Sequence, residues 1–291
     1  MPAAMARRVL LLAIAFLLAL FISWALFGRM YREPRRPAAP TRGPLTQASP
    51  AATAPPSPAT SVPARASPSL TPGAYTVAII IDDCGQWPTT ERGYLALPIP
   101  LTLSVLPHVR YTAQIAQEAA AAGKGVMLHL PMQPVGRDTA GPGEIKTDMT
   151  DAQIASQTED DIAQVPLAKG LNNHEGSKAS ADARVMHDVM AIVKTHGLFF
   201  IDSKTSPNSV AAQVAQAAGV PAASRDIFLD NRADIAYTET MLQQAVAFAK
   251  QNGSAIAIGH PRPTTLAALQ AMYAKMQAEG VQFVLASDLT H

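Results

Sequence analysis

The sequence predicts an α/β fold, a (β/α) barrel of about seven strands. Three observations lead there. From residue 74 onward, short apolar runs rich in β-branched residues alternate with longer helical stretches. Several of those helical stretches stop at a glycine. Aspartate and histidine residues gather where the apolar runs end. Continuous apolar strands separated by helices imply a parallel sheet covered on both faces. An open doubly wound sheet is the alternative arrangement. No glycine-rich phosphate fingerprint follows the first strand, which argues against nucleotide binding.

The elements follow in order. Val77–Ile81 reads as a buried strand ending at Asp82, and Leu101–Leu106 as a second. Thr112–Ala122 is helical and closes at Gly123, a natural C-terminal cap. Val126–Leu130 is the third strand. A glycine-rich loop follows, then Thr150 stands as the N-cap of a helix to about residue 163. Leu167–Leu171 is a weak fourth strand. Ala181–Thr195 is helical and Leu198–Ile201 is a strand ending at Asp202. Ser209–Ala218 is helical, and Ile227–Leu229 is a short strand ending at Asp230. Thr238–Gln251 is helical, and Ala255–Ile258 leads into Gly259 and His260. Thr264–Glu279 is helical and Gln282–Leu285 is the last strand.

The chain has three parts. Residues 1–30 are expected to form a membrane anchor. Val9 to Phe27 is apolar or small apart from Ser23, and such a run reaches roughly 28 Å, about one hydrocarbon core. Basic residues flank both ends, so the positive-inside rule does not orient it. Residues 31–73 hold eleven prolines among Ala, Ser and Thr, which suits an extended tether and cannot bury a core. Residues 74–291 form the folded domain, expected outside the cytoplasm.

Charge excludes one partner class. The first 73 residues hold eight arginines and one glutamate. Of the chain's 23 basic and 22 acidic residues, the folded part therefore keeps 15 and 21, a net charge of −6. No basic stripe with interleaved aromatics is present, so nucleic acid is not expected as a partner. Cys84 is the single cysteine, so no internal disulfide forms, and a packing role suits it better than a reactive one.

In a parallel barrel the C-terminal strand ends converge on one face, where active sites sit. That rule gathers Asp82 and Asp83, His129, Asn173 and His174, Asp202 and Ser203, Asp230, and His260. One carboxylate with two imidazoles and an open position suits a divalent metal such as zinc. A second carboxylate would then serve as general base, and a separate histidine could protonate a leaving group.

Six segments carry a family resemblance. They are Ile79 to Gly85 (IIIDDCG), His129 to Pro134 (HLPMQP), Asn172 to Ser177 (NNHEGS), Phe199 to Thr205 (FFIDSKT), Phe228 to Asn231 (FLDN) and Ile258 to Pro261 (IGHP). In this order they resemble the divergent polysaccharide deacetylase family, over the whole folded part. The resemblance implies a deacetylase-type barrel and removal of acetyl groups from cell-envelope glycan with a bound divalent metal. It implies Asp82 as base, Asp83 and His129 as metal ligands, and His260 as acid. Related deacetylases carry a second histidine four residues after the first, where this chain has Gln133. His174 is the candidate replacement. Asn173, Asp202, Ser203 and Asp230 are candidates to contact substrate or brace the site. The arginine motif of the ordinary enzymes has no counterpart. Two functions follow as expectations: a metal-dependent carbohydrate deacetylase, or a non-catalytic glycan-binding scaffold that keeps the fold.

Overall fold

The structure, a computed structural model, describes residues 75–136 and 138–291. The expected anchor and proline-rich tether lie outside the described residues. Among the described residues no helix is long and apolar enough to cross a membrane.

Among the described residues nine strands form one sheet: β1 (Tyr75–Cys84), β2 (Thr102–Val105), β3 (Gly125–Met132), β4 (Gly170–Glu175), β5 (Phe199–Asp202), β6 (Ala222–Ser224), β7 (Ile227–Phe228), β8 (Ser254–Gly259) and β9 (Val281–Val284). Eight run in the order β6-β5-β4-β3-β2-β1-β8-β7, and β9 pairs with β1. Every pairing is parallel. The helices are α1 (Pro88–Leu95), α2 (Thr112–Ala121), α3 (Asp151–Gln164), α4 (Ala183–Thr195), α5 (Ala211–Ala217), α6 (Ile235–Asn252) and α7 (Pro263–Ala278).

The two edges of the sheet meet. Ser224 ends one edge strand and Ile227 begins the other, three peptide steps later. They are therefore no more than about 11 Å apart. The backbone N–H of Arg225 donates to the Asp202 carbonyl in β5, and that of Asp226 donates to the Ile256 carbonyl in β8. The chain itself spans the seam, and the sheet curls into a barrel of eight path strands rather than seven.

Strand alternation sorts the side chains into two cores. Val77, Ile79 and Ile81 face outward into the helices, with Leu128, Leu171, Phe200 and Ala257. Ala78 and Ile80 face inward, with Met127, Ile201, Ile256 and Ile258. The helices begin where their sequences allow. Thr150 caps α3 with a reciprocal capping box to Gln153. The Asp182 side chain accepts from the Arg184 and Val185 amides at the start of α4. Gly253 ends α6 at φ 87°, a conformation that favours glycine.

Three departures from the sequence reading have physical reasons. Helix α1 is short, begins at a proline and shows no long apolar period. Strand β6 is three residues between Pro221 and the seam. Strand β4 begins at Gly170 rather than Leu167, because its pairing runs on through polar residues 172–175. Asn172 and His174 among them point into the mouth of the barrel.

Candidate functional site

Alternation places the site at the inner mouth of the barrel. Asp82 follows Ala78 and Ile80 inward. His129 follows Met127, and Asn172 and His174 share one face of β4. His260 continues the inward phase of Ile256 and Ile258 from β8. Asp83 should point the other way, as the next residue of β1. Its φ of 56° and the register shift of β1 against β2 between Ile81 and Cys84 turn it back. Aspartate tolerates this left-handed conformation better than most residues.

Three atoms then form a nearly equilateral triangle. Asp83 Oδ1 lies 3.2 Å from His129 Nε2 and 2.9 Å from His174 Nδ1, and the two ring nitrogens are 3.1 Å apart. Asp83 Oδ1 is buried and makes no well-formed hydrogen bond. Register supports the arrangement, since His129 pairs with Asn172, and Pro131 with His174.

Asn172 holds the next layer. Its Nδ2 donates to both Asp82 oxygens, at 2.9 and 3.0 Å, and to Ser203 Oγ at 3.0 Å. The carboxylate pins the amide's orientation, so Asn172 Oδ1 faces His129 Nδ1 at 2.8 Å and must accept from it. Ser104 Oγ donates to the same oxygen. His129 therefore carries its proton on Nδ1, and the Nε2 lone pair aims into the triangle. A carboxylate oxygen and an imidazole lone pair converge there, and a third nitrogen stands beside them. Metal–ligand distances of about 2.0–2.2 Å place neighbouring donors about 2.8–3.6 Å apart in tetrahedral or octahedral shells. The residues present fit a divalent cation.

The electrostatics agree. Burial alone would raise Asp83, but His129 and His174 outweigh it and hold the carboxyl well below its ordinary range. Burial would lower His129, yet Asp82 and Asp83 raise it. Without a cation, protons are drawn to the place a cation would take. Burial pushes Asp82 up, against the pull of His129, His260 and Asn172.

His260 stands opposite, its Nε2 3.8 Å from Asp83 Oδ2. Asp230 Oδ1 holds His260 Nδ1 at 2.9 Å, and Asp230 Oδ2 accepts from the His260 amide and the Thr265 hydroxyl. Burial would lower His260, but Asp230 outweighs it and raises it. Burial would raise Asp230, but His260 outweighs it and lowers it.

The structure brings Asp82, Asp83, His129, His174, His260, Ser203 and Asp230 together. It does not bring in Asp202 or Asn173. Asp202 has the outward phase of Phe200; its carboxylate accepts from Ser209 Oγ and the Lys204 amide. Asn173 accepts from the Ser203 amide and donates to the Glu175 carbonyl and Thr205, bracing β4 against the loop after β5. Gln133 is turned away from the triangle, with Oε1 accepting from the Thr147 amide and hydroxyl. Ser104 and Thr265 were not singled out from sequence, and of the adjacent Asn172 and Asn173 the sequence favoured Asn173. Counting by twos from His174 would have found Asn172. Glu91, also missed, is fully buried, and its Oε1 accepts the amides of Gly85, Gln86 and Trp87, fixing the turn after Asp83.

The sequence profile described as divergent polysaccharide deacetylase matches residues 79–290. An uncharacterized protein of Haemophilus influenzae is 37% identical over 195 residues, 67% of this chain and 70% of that protein. The crystal structure of an uncharacterized protein from Agrobacterium tumefaciens C58 matches with a TM-score of 0.71 at 23% identity, over 74% of this chain and 89% of that one. A wild-type CE4 family pseudoenzyme from Bacillus anthracis matches with a TM-score of 0.50 at 12% identity, over 75% and 66% of the two chains.

Proposed function

We propose, from the premise that the chain belongs to the divergent polysaccharide deacetylase family, that it is a metal-dependent hydrolase removing acyl groups from cell-envelope glycan. The observation that carries this reading is the triangle of Asp83 Oδ1, His129 Nε2 and His174 Nδ1, with its buried, unsatisfied carboxylate oxygen. Those three residues would hold a divalent cation, and the mixed nitrogen and oxygen donor set suits zinc. Bound there, the cation would polarise an acyl carbonyl and make water a nucleophile at neutral pH.

The chain's own residues supply the proton transfers. Asp82 is buried at the edge of the triangle, its Oδ2 3.6 Å from His129 Nε2. Burial makes it a stronger base than an exposed aspartate, and Asn172 fixes both its oxygens. It takes the proton of the attacking water. His260, whose protonated form Asp230 favours, gives a proton to the departing sugar amine or hydroxyl. The bond from acyl carbon to nitrogen or oxygen breaks, and a carboxylate and the free sugar group leave.

The apolar segment followed by a proline-rich spacer supports a tethered domain outside the cytoplasm, where envelope glycan is found. One experiment tests the reading. Full-length protein is assayed for bound metal and for release of acetate from N-acetylated glycan, beside Asp82→Asn and Asp83→Asn. Metal and acetate release in the parent, loss of release in the first variant, and loss of both in the second are expected. Glycan binding with neither metal nor release would favour the scaffold reading instead.

A further inference from the structure

Beside the triangle lies a cavity of about 380 Å³, lined by Asp83, Trp87, Thr90, His260 and Arg262, with Pro261 and Pro263 flanking the arginine. Its size lies in the range of small-molecule sites, about 300–1,000 Å³. Nothing in the proton transfers above uses Trp87, Thr90 or Arg262.

Trp87 is 49% exposed, which is unusual for the largest apolar side chain. It is not loosely held. Its amide donates to the buried Glu91, its carbonyl accepts from the Thr90 and Glu91 amides, and Pro88 follows it as the first residue of α1. The backbone that carries the indole is thus fixed, and the exposed ring lines the cavity, where a sugar ring can settle on its face.

Arg262 is the second half. Its Nη1 donates to the Asp230 backbone carbonyl, and the Tyr94 hydroxyl donates to its own carbonyl, so its place is set. Among the described residues its guanidinium makes no ion pair. The acid that lines the cavity, Asp83, is turned toward His129 and His174. A half-buried guanidinium without a carboxylate partner suits an anionic group that accepts its remaining N–H bonds.

We propose that this cavity is a sugar subsite that selects an acidic saccharide. One ring stacks on Trp87 and its carboxylate pairs with Arg262, beside the ring whose acyl group reaches Asp83 and His260. The choice of sugar as ligand rests on the proposed glycan hydrolysis; the selection for negative charge rests on Arg262.

The test uses the full chain in a Trp24→Phe background, which leaves Trp87 as the one tryptophan. Its fluorescence is titrated with a neutral N-acetylglucosamine tetrasaccharide and with a tetrasaccharide alternating N-acetylglucosamine and glucuronate. A desolvated charge pair predicts about tenfold tighter binding of the acidic sugar. Arg262→Gln brings the affinities for the two sugars together. Trp87→Ala, followed by calorimetry, weakens both sugars about tenfold. Equal affinities in the parent, or an acidic preference that survives Arg262→Gln, overturns the subsite. Metal content and hydrolysis of a small acetate ester are measured on the same proteins. If those hold while discrimination is absent, the subsite alone is wrong. If discrimination holds while both are absent, the hydrolase reading is wrong and the subsite stands.

Discussion

Asp82 and Asp83 are consecutive residues of one strand, yet both carboxylates reach the same mouth of the barrel, because Asp83 adopts φ 56°. Asparagine tolerates this conformation and alanine does not. Metal-free Asp83→Asn should therefore melt close to the metal-free parent, while Asp83→Ala should lose about 1 kcal/mol or more of stability. Both should fail to retain a divalent cation. Thermal melts in chelator, with metal analysis, check this. An Asp83→Asn protein that keeps a full equivalent of metal would remove Asp83 from the ligand set.

Asn172 sets the tautomer of His129 and the position of Asp82 in one stroke. Loss of such an outer partner lowers metal affinity about 10–100-fold. Asn172→Ala should show that loss by calorimetric titration, with hydrolysis falling further because the base is also freed. Asn172→Asp should be worse, since it sets a carboxylate against Asp82. Unchanged affinity in the alanine variant would show that the inner ligands need no such support.

Restoring the histidine that related enzymes carry should not help. Gln133 points at Thr147 and holds the loop after β3, and its backbone carbonyl also accepts the amides of Lys178 and Ala179. Gln133→His should leave metal affinity unchanged and lower stability by about 1–2 kcal/mol, through two lost hydrogen bonds. A gain in affinity on titration would mean that the loop can rearrange to present the new ring.

Asp161 gives a pH dependence away from the site. It is fully buried under the backbone of Gly143, with His108 Nε2 at 2.8 Å and Gln157 Nε2 at 3.1 Å on Oδ1, and with Oδ2 unpartnered. Burial pushes it up to about 7, and His108 and Gln157 only partly oppose that. A raised carboxyl favours the folded state when protonated. That stability is present below the ordinary value near 4 and is lost as pH rises through about 7. Asp161→Asn removes the dependence. Its stability relative to the parent should rise by on the order of 2–4 kcal/mol between pH 4 and pH 8. Urea melts of both proteins at the two pH values measure the gap, and a constant gap would sink the assignment.

Most residues of the candidate site were legible as chemistry near strand ends. Asp82 and Asp83 close an apolar run, His260 follows one, His129 sits near the end of another and His174 lies just past a fourth, and a parallel barrel collects such ends. What the runs hid was phase. Asp202 and Ser203 read alike in sequence, but an odd or even count along β5 sends one outward to Ser209 and the other inward to Asn172. The same count separates Asn172 from Asn173. Strand β4 was misplaced because its inward positions carry site residues instead of apolar ones, so the hydrophobic signal faded where function began. Glu91 left no signal, because a carboxylate gathering three amides is a loop geometry and not a pattern.

Strand β1 carries both aspartates and is held from both ends of the chain. It pairs with β2 some twenty residues later, and with β8 and β9 well over 150 residues later. Such distant pairings are slow to form. The strand that carries the pair is thus flanked on one side early and on the other only once β8 and β9 exist. A chain cut after β7 should keep β2 to β5 paired but leave Asp82 and Asp83 on a strand with one flank bare. His260 arrives only with the end of β8, so the side of the mouth opposite Asp83 stays open until that strand pairs.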